Sequence, residues 1–416
     1  MDAEFFKRGI VILDGAMGTV LQQRGLPPGG VPELLNLTDP ELLASIHREY
    51  IAAGSQVVYA NTFGANALKL GRTGKTVDEI VSAAVSIARR AAGTQAKVAL
   101  DMGPLGELLE PMGNLSFERA YELFREAAQA GENAGADLAV IETMTDLYEA
   151  KAALLAGKPV YSEKPLAATV AEGRELAALA AEKGLALGGA PDTFLGAGLQ
   201  TCRKLIEDGY IGRPVGAAAF MLCHGHESWH PDPAFYYKRG GGPMMDMGPY
   251  YLTALTALLG SVTEVTGTAR KSFEKRTVTS QPRRGEVIDV EVPTHVNSIL
   301  QFESGAVGTI ATSFDVYYPQ QARLEIYGTE GTLFLPDPNC FGGPVKLFKP
   351  TDGEVREMPL CFDYRENSRA LGLDGMAAAL REGKRRFSCD CNRTLHVLEL
   401  LEKLAQGGTH TIESRL

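Results

Sequence analysis

Two short runs carry side chains of the kind that bind metals. Cys223-His224-Gly-His226-Glu-Ser-Trp229-His230 gathers one thiol and three imidazoles, and Cys389-Asp-Cys391 sets two thiols around an acid. Zinc takes such ligands, but they must be spaced so that three or four converge on one point. Neither run has a spacing of that kind, so no metal site is expected. A second group is Asp14, Asn61 and Glu142, each directly after an apolar run that reads as a strand. In a parallel βα fold such positions lie at the C-terminal strand ends, where these folds do their chemistry. Taken singly, an Asp-Gly or Asn-Thr pair also reads as a turn cap. A third candidate is Lys164, which follows another apolar run in Ser-Glu163-Lys164-Pro165. Pro165 fixes the backbone after the strand and so aims the lysine. Alone, Lys164 also reads as a solvent-facing loop residue.

The elements that must position these residues change character along the chain. Short β-rich runs at Val11–Leu13, Val57–Tyr59, Val98–Leu100, Leu138–Ile141, Val160–Ser162 and Leu185–Leu187 alternate with helical patterns. Thr76-Val-Asp-Glu79 and Thr169-Val-Ala-Glu172 have capping-box spacing, and Asp39-Pro40 places an N-cap before a proline. Six βα units in a row imply parallel strands with helical crossovers, as a half-barrel or an open parallel sheet. After residue 196 a helix is expected at Leu199–Asp208. β-rich runs then dominate, with one helix at about Pro249–Leu259 and a closing one near Thr394–Ala405. Thr277–Glu286 reads as a polar loop. The fold class expected is therefore α/β followed by α+β, the second part a mostly antiparallel sheet with helices on one face.

Bulk properties exclude several functions. With 416 residues the chain is long for one core. A net charge of −10 and no basic stripe argue against nucleic-acid binding. No apolar run is long enough to cross a bilayer, and the N-terminus has no signal-peptide pattern. Six scattered cysteines read as free thiols, which fits a cytoplasmic protein.

Several long motifs, in order, carry a resemblance in the first part: ILDGAMGT (12–19), ELLNLTDPELLASIH (33–47), YANTFGAN (59–66), DMGPLGELLEPMG (101–113) and AGADLAVIETMTDLYEA (134–150). Residues 1–156 resemble the front half of a homocysteine S-methyltransferase barrel. The resemblance implies that Asp14, Gly15 and Glu142 help hold the amino-acid end of homocysteine, with Asn61 on the same binding face. It also implies a zinc ion on three cysteines from the second half of that barrel. That half is missing here and the chain has no Cys-Cys pair, so zinc is expected to be absent.

A different family is matched from Gly157 onward, by AGKPVYSEKPLA (156–167), GAPDTFLGAGLQTCRKLIEDGYIGRPVGA (189–217), GGGPMMDMGPYYLTAL (240–255) and GTEGTL (328–333). This part resembles the Gfo/Idh/MocA oxidoreductases, which dehydrogenate sugars and polyols with NAD or NADP. Oxidising an alcohol needs a group to take the hydroxyl proton and a cation to steady the alkoxide. The resemblance makes Lys164 that lysine, beside nicotinamide and substrate, with Glu163 and Pro165 on the cofactor side. It makes Asp246 an active-site acid. Tyr250 stands where the family's D-x-G-x-H motif has histidine, so it is either a proton relay or a packing residue at a helix start. Trp229 and His230, after a sheet strand, are expected to touch substrate. The family's G-x-G-x-x-G is not found before Gly157, where Gly15-Ala-Met-Gly18 is the nearest run.

The chain thus reads as a chimera. Residues 1–156 form a partial methyltransferase-like half-barrel, 157–195 the last βα units of a Rossmann-like domain, and 196–416 an α+β substrate domain. The function expected is that of an oxidoreductase acting on a sugar or polyol hydroxyl, impaired because the dinucleotide-binding half is replaced. Two alternatives stand: a homocysteine-binding methyltransferase relative without its zinc cysteines, and an inactive fusion or sequence-assembly artefact. The partner is a small molecule, with no nucleic acid or membrane, and homo-oligomerisation is expected through the C-terminal sheet.

Overall fold

A computed structural model of the chain describes residues 11–27, 29–107, 115–141, 151, 154, 155, 157, 159–320 and 323–416. The chain divides into two compact units, Met1–Asp146 and Leu147–Leu416.

The first unit is built on parallel strands β1 (Val57–Tyr59), β2 (Lys97–Met102) and β3 (Leu138–Ile141), in that spatial order. A single parallel bridge from Leu13 to Val57 adds the start of the chain at the open side of β1, so the expected strand Val11–Leu13 is reduced to one paired residue. The helix Val77–Ala92 forms as its sequence predicts. Thr76 and Glu79 close a reciprocal capping box, and Ile80, Val81, Ala84, Val85 and Ala88 bury one face against Val98 and Leu100. The helix Phe117–Asn133 comes close to β2 at Gly131, where an added Cβ would lie 2.6 Å from Leu100.

In the second unit, β4 (Val160–Ser162) and β5 (Leu187–Gly189) pair in parallel, and among the described residues they pair with no other named strand. The expected run of six βα units is therefore not one sheet among the described residues: β1–β3 and β4–β5 are separate sheets. The strand expected at Leu185–Leu187 starts later. Leu185 N–H is still bonded to Ala180 O (2.9 Å) and Gly184 N–H to Ala181 O (3.1 Å), ending the helix Val170–Lys183 with a left-handed glycine. That helix opens with the second capping box. Val170 N–H at its start donates to the Glu402 carboxylate at 2.8 Å, and Gly173 leaves room for Leu398. Both partners come from the closing helix, Cys391–Gln406, so Leu398 completes a small core with Leu166, Val170, Leu176 and Leu187.

The rest of the unit is a nine-stranded sheet. Its strands are β6 (Pro214–Leu222), β7 (Val262–Arg270), β10 (His295–Phe302), β11 (Val307–Ser313), β12 (Leu324–Gly328), β13 (Thr332–Phe334), β14 (Val345–Phe348), β15 (Val355–Met358) and β16 (Gly408–Thr411). The order is β15-β14-β13-β12-β6-β11-β10-β7-β16, and only the β6–β11 pair is parallel. β10 alternates cleanly, with Val296, Leu300 and Phe302 buried and Asn297, Ile299 and Gln301 exposed, so one face is covered. The polar stretch expected as a loop joins a small hairpin, β8 (Lys275–Thr277) and β9 (Val287–Asp289). The helix expected to start near Pro249 begins at Pro243 instead, with Pro249 inside it. Pro243 is the proline at N1, and Gly242 at φ +89° makes the turn into it.

Candidate active site

Lys164 leaves the end of β4 and Asp246 lies in the first turn of the Pro243–Leu259 helix. A carboxylate there is favoured by the helix dipole. The lysine Nζ donates to Asp246 O at 2.6 Å and to Asp246 Oδ1 at 3.0 Å. The two side chains are 18% and 21% exposed, so the pair is partly dehydrated yet reachable. Tyr250, one turn on, is buried and sets its ring 5.3 Å from the same Nζ, as a cation–π neighbour. The structure therefore brings together Lys164, Asp246 and Tyr250. Glu163 caps the turn by accepting from Lys164 N–H (3.0 Å). Pro165 lines a cleft beside the lysine with Gly189, Pro191 and Arg393.

The segment after β6 supplies the aromatic side. Trp229 is 62% exposed, with its ring 5.3 Å from His226 and 5.4 Å from His230. His230 accepts from Asp232 N–H at Nδ1 (3.0 Å), while its carbonyl accepts from the Ser280 hydroxyl. The segment is anchored by a buried network. Arg276 Nη1 donates to Glu227 at 2.7 Å, its Nη2 donates to Phe314 O at 2.9 Å and also to Asp315, and the Tyr237 hydroxyl donates to Glu227.

Sequence reading considered His226 only as a metal ligand. Here its Nε2 lies 3.8 Å from Asp246 Oδ2. The signal was the histidine-rich run directly after a sheet strand. Among the described residues no three His, Cys, Asp or Glu side chains are grouped to hold a metal ion. In the Cys389-Asp-Cys391 run, Asp390 caps the closing helix, and burial pushes the Cys389 thiol up to about 12.

Asp14 and Asn61 occupy strand ends in the first unit. Both Asp14 carboxylate oxygens accept from Tyr59 N–H at 3.1 Å, and His47 Nδ1 lies 4.0 Å away. Burial pushes His47 down to about 4, so the imidazole is neutral at pH 7. The Asn61 amide donates to Pro32 O (2.8 Å) and to Asn36 Oδ1 (3.1 Å). Glu142 lies outside the described residues.

The dinucleotide side can be tested on these atoms. A cradle for a pyrophosphate needs open space where a glycine lacks its side chain. At Gly15 that space is filled by the Tyr50 hydroxyl, 3.0 Å from where a Cβ would stand. The Asn61 amide, at the end of β1, is tied to its own chain. These residues do not fit the family's way of holding NAD or NADP.

Comparison with known proteins gives the same two-part picture. Residues 11–187 match the homocysteine S-methyltransferase family model, and residues 199–334 match that of the GFO/IDH/MocA C-terminal domain. The chain is thus composed of two parts, one similar to each family. Among individual proteins, methionine synthase of Mycobacterium tuberculosis is 35% identical over 165 residues, covering 36% of this chain and 14% of that protein. D-xylose dehydrogenase of Paenarthrobacter nicotinovorans is 28% identical over 213 residues, covering 47% of this chain and 53% of that protein. The chain therefore spans about half or less of these relatives. Levoglucosan dehydrogenase in complex with NADH superposes with a TM-score of 0.56 at 18% identity, covering 69% of this chain and 87% of that one. An NAD binding oxidoreductase from Klebsiella pneumoniae gives 0.56 at 17%, covering 94% and 97%. At such identities the likeness speaks for the fold. The methyltransferase match runs on to residue 187, yet Lys164 within it bonds to Asp246 inside the GFO/IDH/MocA match.

Proposed function

We propose that the chain binds a sugar or polyol beside Lys164 and Asp246 and acts on one of its hydroxyls, as an impaired relative of the sugar dehydrogenases. One observation carries this: the Lys164 ammonium, at the end of a parallel strand, is held 3.0 Å from a partly exposed carboxylate 82 residues away. An ammonium so placed stabilises an alkoxide, and the neighbouring carboxylate orients the hydroxyl. Trp229 offers an exposed ring to the carbon face of a sugar, with His230 behind it. Glu163 and Pro165 set the backbone that aims Lys164. NAD or NADP is the acceptor that the resemblance implies, and impairment is proposed because its usual cradle is filled. The division at 1–156, 157–195 and 196–416, a cytoplasmic setting and association through the C-terminal sheet belong to the same reading. No helix among the described residues is long and apolar enough to cross a membrane, and all six cysteines are free.

The test mixes the protein with D-xylose or levoglucosan and NAD+ or NADP+, reads absorbance at 340 nm, and measures sugar binding by calorimetry. Expected are sugar binding and slow turnover, with Lys164→Met reducing turnover roughly 100-fold or more. Sugar binding or turnover indifferent to Lys164→Met would overturn the reading. A second reading, homocysteine binding by Asp14, Gly15, Asn61 and Glu142, is favoured by the 35% identity to methionine synthase in this part. Homocysteine heat uptake that Asp14→Asn abolishes would support it; no heat uptake would remove it.

A further inference from the structure

Tyr250 presents its ring face to Lys164, and an imidazole reaches the same acid from another element. His226 lies beyond the end of β6. Its Nε2 is 3.8 Å from Asp246 Oδ2, the oxygen that Lys164 leaves free of its own bond. The ring is clamped: Tyr236 packs at 3.9 Å with the rings tilted by 32°, Phe314 meets it edge-on at 4.6 Å and Trp229 lies at 5.3 Å. The backbone is pinned as well, since His226 N–H donates to the Glu227 carboxylate at 2.9 Å, and Arg276 fixes Glu227. Yet the buried Nδ1 has no hydrogen-bond partner. This ring is held by its faces, and Nε2, beside Asp246 Oδ2, is the nitrogen placed to take up a proton. The side chain keeps 11% of its surface exposed, so the site is not sealed.

We propose that His226, rather than Tyr250, takes up the proton of the bound hydroxyl and then pairs with Asp246 as an imidazolium. The proposal rests on the sugar- or polyol-binding reading. In the step, the substrate O–H bond breaks and an N–H bond forms at Nε2. The electron pair stays on oxygen as an alkoxide beside the Lys164 ammonium, and nothing is oxidised or reduced. Asp246 faces the imidazole from the Pro243–Leu259 helix. Glu227 and His230 come from its own segment, and Tyr236 and Tyr237 from the short Ala234–Tyr237 turn. Burial lowers its pKa, Asp246 and Glu227 raise it and His230 lowers it, leaving it below the ordinary histidine value. The free imidazole is therefore neutral at pH 7, as a proton acceptor must be, whereas a phenol releases its own proton only near pH 10.

Imidazole NMR on histidine-labelled full-length protein tests this, with His226 assigned through its ring contacts to Tyr236 and Phe314. Asp246→Asn removes a charge that favours the imidazolium and is expected to lower the His226 midpoint by about one pH unit. Tyr250→Phe is expected to leave it in place, and saturating levoglucosan or D-xylose to shift the His226 resonances. With NAD(P)+ turnover in hand, His226→Gln should remove the acid limb of kcat/KM and lower it roughly 100-fold or more, while Tyr250→Phe keeps the limb. A His226 titration unchanged in Asp246→Asn, or an acid limb that survives His226→Gln and disappears in Tyr250→Phe, overturns the proposal. The titrations need only the folded Asp246 and Tyr250 variants, so they decide even if His226→Gln is unstable. A coupled His226–Asp246 pair that neither sugar perturbs overturns the sugar reading instead.

Discussion

The two units treat their strand-end polar residues differently. In Met1–Asp146, Asn61 is bonded to Pro32 and Asn36, Thr62 Oγ1 donates to Asp101 O at 2.8 Å, and Asp14 accepts from Tyr59. These side chains hold neighbouring loops and strands together. In Leu147–Leu416, Lys164 and Asp246 bond mainly to each other and keep about a fifth of their surface exposed. The same βα grammar thus gives strand-end side chains bonded within their own unit in one case and a reachable charged pair in the other. Polar residues at strand ends become a site only when their partners leave bonding capacity for a ligand.

Three perturbations sharpen the contrast, the largest first. Arg276→Leu leaves Glu227 and Asp315 without their buried counter-charge. It should cost the second unit roughly 3–5 kcal/mol, read by urea unfolding from the fluorescence of the lone Trp229. Pulse proteolysis of the first unit should be unchanged, and a similar loss there would dissolve the contrast. Next, His47 has a folded pKa of about 4 against an ordinary 6.5. Its stabilising contribution is complete above pH 6.5 and is lost as pH falls toward 4, because the unfolded chain protonates first. The slope is about 1.4 kcal/mol per pH unit, up to roughly 3 kcal/mol, measured by pulse proteolysis of the first unit. His47→Leu should flatten it. The smallest effect is symmetric: Thr76→Ala and Thr169→Ala each remove a capping-box hydroxyl and should cost about 1 kcal/mol in their own units. Unequal losses in urea unfolding would show that one helix start has other support.

Local signals were the legible ones. Both capping boxes, the strands Val57–Tyr59, Leu138–Ile141, Val160–Ser162 and Val345–Phe348, and the mostly antiparallel second sheet could be read from spacing and alternation. Elements without such signals were not. The helix Leu371–Arg381 begins at a left-handed Ala370 with no side-chain cap, and β16 is a four-residue edge strand, Gly-Thr-His-Thr. The grouping of strands into sheets also escaped, since pairing depends on contacts far apart in sequence. The same reason separates the site residues. Lys164 and Asp246 each carried a local motif, whereas His226 acquires its place only when a segment after β6 folds back over the start of a helix.

That dependence on distant sequence has a consequence for synthesis. The first N–H of the Val170–Lys183 helix is bonded to Glu402, 232 residues further on, and Gly173 makes room for Leu398. At ordinary ribosomal speeds this delay is on the order of tens of seconds. During that interval the β4–β5 segment, with Lys164 on it, emerges without the helix that closes its small core. A nascent chain stalled before residue 391 would leave Leu166, Val170 and Leu176 without Leu398, a surface suited to chaperone capture.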